Sequence, residues 1–307
     1  MTDHSSRRYT SDSTPPKKTI LVSGVTGAQG GAVAQSLLHR GFTVRGLSRD
    51  PSKLAPSRFA GITMVKGDLL ENRSLIGALH GVDGFFIVTT PFIAGWGQPP
   101  NIDSEIKAGF TALEAAKEAG TSHVVLSTVA SAGFVHEPTG IGHFDSKVRI
   151  EEKARQLSVP LTIVRPSYFM ENHLNPWALQ GIRGGAISMP VKTTTRIQMV
   201  AVRDIGEIVA RAFESPEKRI GTAADLAGDK KTLPEVADLF SKKLGVPVKY
   251  VEMADSQAAQ QLGEDALNMY RGFDRGVPNI DIPALEQDWA IRMTRLEDLF
   301  RETELTP

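Results

Sequence analysis

Three glycines at intervals of three, Gly24, Gly27 and Gly30, follow the apolar run Thr19–Ser23 and open an amphipathic stretch, with Thr26, Ala28 and Gln29 between them. A strand, a G-x-x-G-x-x-G loop and a helix in that order form a cradle for a pyrophosphate. Glycine permits the tight turn, and main-chain N–H groups then approach the phosphate at the positive end of the helix. Spacing alone is a weak signal, because glycines also end ordinary strands in ordinary turns. A structural turn with no ligand is the alternative; the flanking strand and helix favour the dinucleotide.

The end of the next strand bears on which dinucleotide. A site for NAD usually places a carboxylate there, about 20 residues after the loop, to accept from the ribose 2′-hydroxyl. This chain offers Ser48, Arg49 and Lys53. A guanidinium clamps a 2′-phosphate and stacks on adenine, and each charge-assisted hydrogen bond contributes about 1.5–3 kcal/mol, so the expected cofactor is NADP(H). In the competing reading Arg49 and Lys53 are solvated and Asp50 takes the ribose. Asp68, just after the third strand, has two equal readings: acceptor for the adenine amine, or cap of the helix near Glu71. Thr89 and Thr90 end the fourth strand beside the same crevice.

These groups need a scaffold, and the chain supplies alternating elements. Strand patterns at "TILVS", "FTVRGL", "ITMVKG", "GFFIVTT", "HVVLST" and "LTIVRP" alternate with helical stretches. In the first helix Val33, Leu37 and Leu38 share a face and Gly41 stands at its C-terminal end. In "DSEIKAGFTALEAAKEAG", Ile106, Phe110, Leu113 and Ala116 do the same, with Asp103 or Ser104 as cap and Gly120 at the end. Regular alternation implies an α/β, Rossmann-type, doubly wound parallel sheet with a smaller, mostly helical C-terminal lobe. The expected boundaries are a disordered tail at 1–16, a dinucleotide domain at 17–166 with a return segment near 197–228, and the lobe at 167–196 and 229–307. Within the later part a helix begins near Asp204, and Thr232, Pro234 and Glu235 form a capping-box pattern ending at Gly245. Residues 181–195 carry a possible lid.

Composition narrows the function classes. The 307 residues hold 35 Lys and Arg against 35 Asp and Glu, a balance that argues against capture of nucleic acid by a basic field. Nothing resembles a basic recognition helix either. There is no cysteine, which removes disulfides, zinc–thiolate sites and thiol nucleophiles together, and no metal site is expected. No apolar run approaches the roughly 18–20 residues of a membrane span. The polar N-terminal residues lack the hydrophobic segment of a signal peptide, so a soluble, cytoplasmic, globular protein is expected.

The segments "VSGVTGAQGGAVAQSLL", "VRGLSRDPSK", "GHFDSKVRIEEKARQLSVPLTIVRPSYFMEN" and "LNMYRGFDRG" together resemble the NmrA-like branch of the short-chain dehydrogenase/reductase superfamily, nearest its HSCARG-like members. "HFDSK" and "RPSYFMEN" are the more specific part of the likeness. It implies a Rossmann domain, an NADP(H) site with Gly24, Gly27, Ala28, Gln29 and Gly30 in the phosphate loop, Arg49 and Lys53 on the 2′-phosphate, and Lys147 on the nicotinamide ribose. It also exposes a departure. Catalytic members of the superfamily carry Tyr-x-x-x-Lys, and here His143 stands at the tyrosine position, four residues before Lys147 and on the same helical face.

An imidazole titrates near neutrality and can protonate a carbonyl or quinone oxygen; it can equally cap the helix or hydrogen-bond within the crevice. Tyr168 is a second candidate proton donor, though the pair Tyr168–Phe169 also suits packing on the substrate side. Ser127 and Thr128 stand near the superfamily's catalytic serine, or merely satisfy the backbone. The incomplete catalytic set beside a full cofactor site implies an NADP(H)-binding, redox-sensing regulator with a protein partner. The alternative is an NADPH-dependent reductase of a quinone, dye or small carbonyl compound.

Overall fold

Successive side chains of a strand point to opposite faces, and in the central strands of this chain both faces are apolar. In β1 (Thr19–Val22), Ile20 and Val22 enter one core while Leu21 enters another. The computed structural model describes residues 17–92, 99–130, 132 and 139–304, so the expected tail lies outside the described residues.

The chain continues through α1 (Ala28–His39), β2 (Thr43–Ser48), β3 (Ile62–Lys66), α2 (Asn72–Leu79), β4 (Gly84–Val88), α3 (Ile102–Glu118), β5 (His123–Ser127), α4 (Gly142–Leu157) and β6 (Leu161–Pro166). After the two-residue β7 (Tyr168–Phe169) come α5 (Pro176–Arg183), β8 (Ala186–Met189), β9 (Arg196–Val200), α6 (Val202–Glu214), α7 (Pro216–Arg219) and β10 (Ala223–Leu226). The last stretch comprises β11 (Asp229–Thr232), α8 (Leu233–Leu244), β12 (Lys249–Glu252), α9 (Asp255–Leu262), α10 (Glu264–Asp274), α11 (Ile282–Trp289) and α12 (Leu296–Glu302).

Seven strands form one parallel sheet in the order β10-β6-β5-β4-β1-β2-β3. The direction of winding reverses between β1 and β4, which opens a crevice beyond their C-terminal ends. One face is covered by α1 and α6, through Val33, Leu37, Ile205, Val209 and Phe213. The other is covered by α2, α3 and α4, through Leu75, Leu79, Leu113, Ile150 and Ala154. Each of the larger side chains among these contributes about 1.5–3 kcal/mol by leaving water. The expected α/β sheet is therefore present, with β10 as a seventh strand.

Several local details differ from the sequence pattern. Asn101 rather than Asp103 or Ser104 caps α3, its carboxamide oxygen accepting from the Ser104 N–H at 3.0 Å, because the helix starts at Ile102. Residues 196–200 do not return to the main sheet. They form β9, the centre of a three-stranded sheet between β11 and β7, and the return begins with α6. The C-terminal lobe thus carries two small sheets beside its helices, the second being β8 with β12.

The segment considered as a lid is built into this lobe. Ile182, Ile187, Met189 and Val191 are buried, Tyr250 Oη donates to the Met189 carbonyl at 2.7 Å, and Thr195 Oγ1 donates to Asp274 at 2.6 Å. The capping box on α8 and the left-handed Gly245 (φ 70°) are as the sequence pattern suggests.

Two interior histidines tie the fold to pH. His123 shares a 2.8 Å hydrogen bond with Thr162 Oγ1, and His173 packs 5.5 Å from the Tyr168 ring with no partner for its Nε2. Burial lowers both, from the usual 6.5 to about 4. Between about pH 4 and 6.5 the unfolded chain therefore binds more protons than the folded one, so stability rises with pH across that window. Each imidazole contributes on the order of 3 kcal/mol. Burial holds the carboxyls of Glu171 and Asp204 above their usual range, and these act with the opposite sign. Thermal melts should show a loss of stability from pH 6.5 to pH 4.5 that narrows in His173→Phe. An undiminished loss in that variant would exclude His173 as a contributor.

Candidate functional site

At the C-terminal end of β1 the backbone turns through Gly24, whose φ of +62° is open to glycine at no cost. A Cβ on Gly30 would lie 2.2 Å from the Gly24 carbonyl oxygen, so only glycine lets α1 sit this close to the turn. The Gly27 N–H donates to the Gly24 carbonyl at 2.9 Å, fixing the loop. Helix α1 starts with no capping side chain and no acidic residue in its first turn. Its first N–H groups and its positive end therefore face outward from a rigid concavity, which fits a pyrophosphate. Thr26, Gly27 and Ala28 are exposed at the rim, whereas Gln29 turns inward and accepts from Ser127 Oγ at 2.7 Å, joining the loop to the end of β5.

The neighbouring strand β2 carries the second part. Ser48 Oγ accepts from the Asp50 N–H at 3.2 Å. The Asp50 carboxylate accepts from Ser52 Oγ at 2.5 Å and pairs with Lys53 at 2.9 Å, and these contacts hold its carboxyl below the usual range. Arg49 is exposed and has no partner among the described residues. Asp68 Oδ1 accepts from the Leu70 N–H at 2.9 Å, closing a turn ahead of α2 rather than capping it. Thr90 is exposed, with Oγ1 accepting from the Phe92 N–H.

Helix α4 supplies the centre. His143, Lys147 and Glu151 recur every four residues and form one inward stripe. Lys147 Nζ donates to the Thr89 carbonyl at 2.7 Å and to Thr89 Oγ1 at 2.8 Å, and pairs with Glu105 at 2.7 Å. All three ammonium hydrogens are thereby used. The other Glu105 oxygen accepts from Ser146 Oγ, and its first oxygen also accepts from Thr89 Oγ1. One turn on, Glu151 accepts two hydrogen bonds from Arg165, both at 2.8 Å, and one from Thr128 Oγ1 at 2.6 Å. Burial works to raise the Glu151 carboxyl, but Arg165 and Thr128 outweigh it and hold it low.

At the N-terminal end of the stripe His143 Nδ1 is hydrogen-bonded to Asp265, and the same carboxylate accepts from the Gly142 N–H at 2.5 Å. Burial tends to raise Asp265, yet His143 and Gly142 keep it below the usual carboxylate range, hence ionised near neutrality. His143 lines a cavity of about 280 Å³ together with Thr128, Phe144, Ser167, Tyr168, Phe169, Asn172, Met269, Phe273 and Pro278. The hydroxyl of Ser167 has no partner there. Tyr168 is pushed well above 10 by burial and by Tyr270, and its ring packs 6.0 Å from that of Phe273. Among the described residues no cation pairs with it, and its ring also contacts His173 at 5.5 Å.

The structure thus gathers the glycine loop and the β2 end at one edge, Thr89 with Lys147 at the middle, and His143 with Tyr168 and Phe169 around the cavity. Glu105, Glu151, Asp265 and Ser167 are parts of the site that the sequence pattern did not single out. Glu105 had one signal: it shares a helical stripe with the small residues Gly109, Ala112 and Ala116, all buried. Asp265 is 122 residues from His143, and no local pattern pairs them.

The NmrA-like family matches residues 16–304. An NAD(P)H azoreductase of Xenophilus azovorans is 30% identical over 244 residues, spanning 79% of this chain and 80% of that protein. The triphenylmethane reductase of Citrobacter sp., crystallised with NADP(H), superposes with a TM-score of 0.78 at 19% identity, covering 92% and 99% of the two chains. NmrA, a negative transcriptional regulator crystallised with NADP, gives 0.72 at 22% identity over 94% and 95%. Both structures share the fold.

The Lys147–Glu105 pair is open to a direct test. Glu105→Ala leaves a buried ammonium short of its anion and should destabilise the chain by about 3–5 kcal/mol in urea unfolding. Adding Lys147→Met should restore most of that loss. A single-variant cost under about 1 kcal/mol would show that the pair does not hold the fold.

Proposed function

The chain belongs to the NmrA-like family, and we propose that it binds NADP(H) in the crevice and reduces a small, flat, apolar acceptor with His143 as proton donor. The observation carrying this reading is the imidazole itself, backed by Asp265 and set in the wall of a cavity lined by aromatic and apolar side chains. In the cofactor site the Gly24–Gly30 loop would hold the pyrophosphate, Arg49 and Lys53 the 2′-phosphate, and Asp68, Thr89 and Thr90 the edge of the crevice. Once bound, the reduced nicotinamide supplies a hydride.

The remaining work falls to the chain. Phe144, Phe169, Met269 and Phe273 exclude water and hold a planar ring. Ser167 Oγ is free to bond a polar atom of the acceptor. His143 delivers a proton where negative charge develops, and Asp265 stays ionised to stabilise the imidazolium. The names of the azoreductase relative and of the dye reductase that shares the fold support a reductase of this kind.

A second reading has its own observation. The lysine expected on the nicotinamide ribose is fully engaged by Glu105 and Thr89, so dinucleotide binding would have to rearrange it or proceed without it. A chain that holds NADP(H) without turnover and signals its redox state to a protein partner in the cytoplasm fits that arrangement. The regulatory role of NmrA supports it.

NADPH should raise the melting temperature far more than NADH at equal concentration, since only bound ligand adds to stability. Arg49→Ala with Lys53→Ala should weaken NADPH about 10- to 100-fold and leave NADH nearly unchanged. Equal shifts for the two dinucleotides would overturn the 2′-phosphate assignment.

Against a panel of azo dyes, quinones and aldehydes, His143→Ala should lower kcat about 100-fold with NADPH as donor. Absence of turnover with every acceptor would reject the reductase in favour of the regulator.

A further inference from the structure

Helix α10 sets Asp265, Met269 and Phe273 at i, i+4 and i+8, a single stripe on one face. Met269 and Phe273 form part of the cavity wall, and Asp265, one turn nearer the start of the helix, reaches the beginning of α4. There its two oxygens divide their work: Oδ1 accepts from the Gly142 N–H at 2.5 Å and Oδ2 accepts from His143 Nδ1. The imidazole is further confined by ring contacts with Phe144 at 4.8 Å and Phe92 at 5.5 Å. Its other nitrogen, Nε2, has no protein partner among the described residues.

We infer that Asp265 is a positioning residue, fixing His143 in the tautomer that carries its proton on Nδ1 and presents Nε2 to the cavity. A carboxylate only accepts, so the nitrogen it faces must donate. In free histidine the opposite tautomer predominates, so the preference is imposed by the protein. The Gly142 bond makes the imposition rigid. The carboxylate is anchored to the backbone of the residue before His143, and neither can shift without the other.

The catalytic consequence rests on the reductase reading. As hydride reaches one end of the acceptor's double bond, the π electron pair moves to the heteroatom at the other end. That atom takes the proton from Nε2 of the imidazolium. The neutral imidazole left behind keeps Nδ1–H on Asp265, and solvent returns a proton to Nε2. Asp265 is ionised throughout and touches neither acceptor nor cofactor.

The test uses the full chain with 15N-labelled histidine, and His143→Gln identifies the signal. In the wild type the neutral ring should show a protonated Nδ1 and a bare Nε2. In Asp265→Asn, whose amide can donate to Nδ1, the proton should move to Nε2. The same variant should lose about tenfold or more in kcat with KM changed less than about twofold. A wild-type ring protonated on Nε2, or a tautomer unmoved in Asp265→Asn, overturns the inference. If Asp265→Asn does not fold, the wild-type spectrum alone decides. If the tautomer moves as stated and no acceptor is ever reduced, the positioning role stands and the reductase reading falls.

Discussion

An ammonium group taken out of water must find an acceptor for each of its three hydrogens, and Lys147 finds all of them at the junction of α3, α4 and the end of β4. Its side chain is 9% exposed and that of Glu105 not at all. Burying both ions costs several kcal/mol each, and the pair recovers this only through close geometry and further hydrogen bonds, which Thr89 and Ser146 supply. The result is less a gain in stability than a choice of position. Helix α4 cannot slide or rotate without leaving a charge unpaired.

The same helix repeats the device one turn later with Glu151 and Arg165, and begins with His143 on Asp265. A helix covering a sheet usually presents leucines and valines inward. Here three ionisable groups occupy the stripe, each answered from a different element: α3, β6 and α10. Loose apolar packing would tolerate small displacements, whereas paired charges do not. The His143 ring is therefore located by electrostatics rather than by shape alone.

This is also why the site was only partly legible in the sequence. The glycine loop, the strands and most helix ends are local matters, settled by Gly24, Gly30, Thr232 and the alternation of apolar residues. Ser48, Arg49 and Lys53 follow from their place after a strand. The partners of the α4 stripe are different in kind: Lys147 meets Glu105 on another helix, which Ser146 also reaches across 41 residues, and His143 meets Asp265 across 122. Pairing over such distances is decided by how layers stack. The small sheets of the lobe were hidden for another reason. Their strands are two to five residues long, too short for a period to show.

The chain leaves the main sheet after β6, builds part of the lobe, and only then returns to lay α6 against α1 and β10 against β6. The half built on the main sheet is consequently not a contiguous fragment. A cut after Pro166 would bare Val33 and Leu37, which α6 covers, and would turn β6 into a raw edge ready to pair with another chain. Truncation at that point cannot yield a clean copy of the main-sheet half. The two halves are covalently interleaved, and a lesion in one will be felt as misfolding in the other.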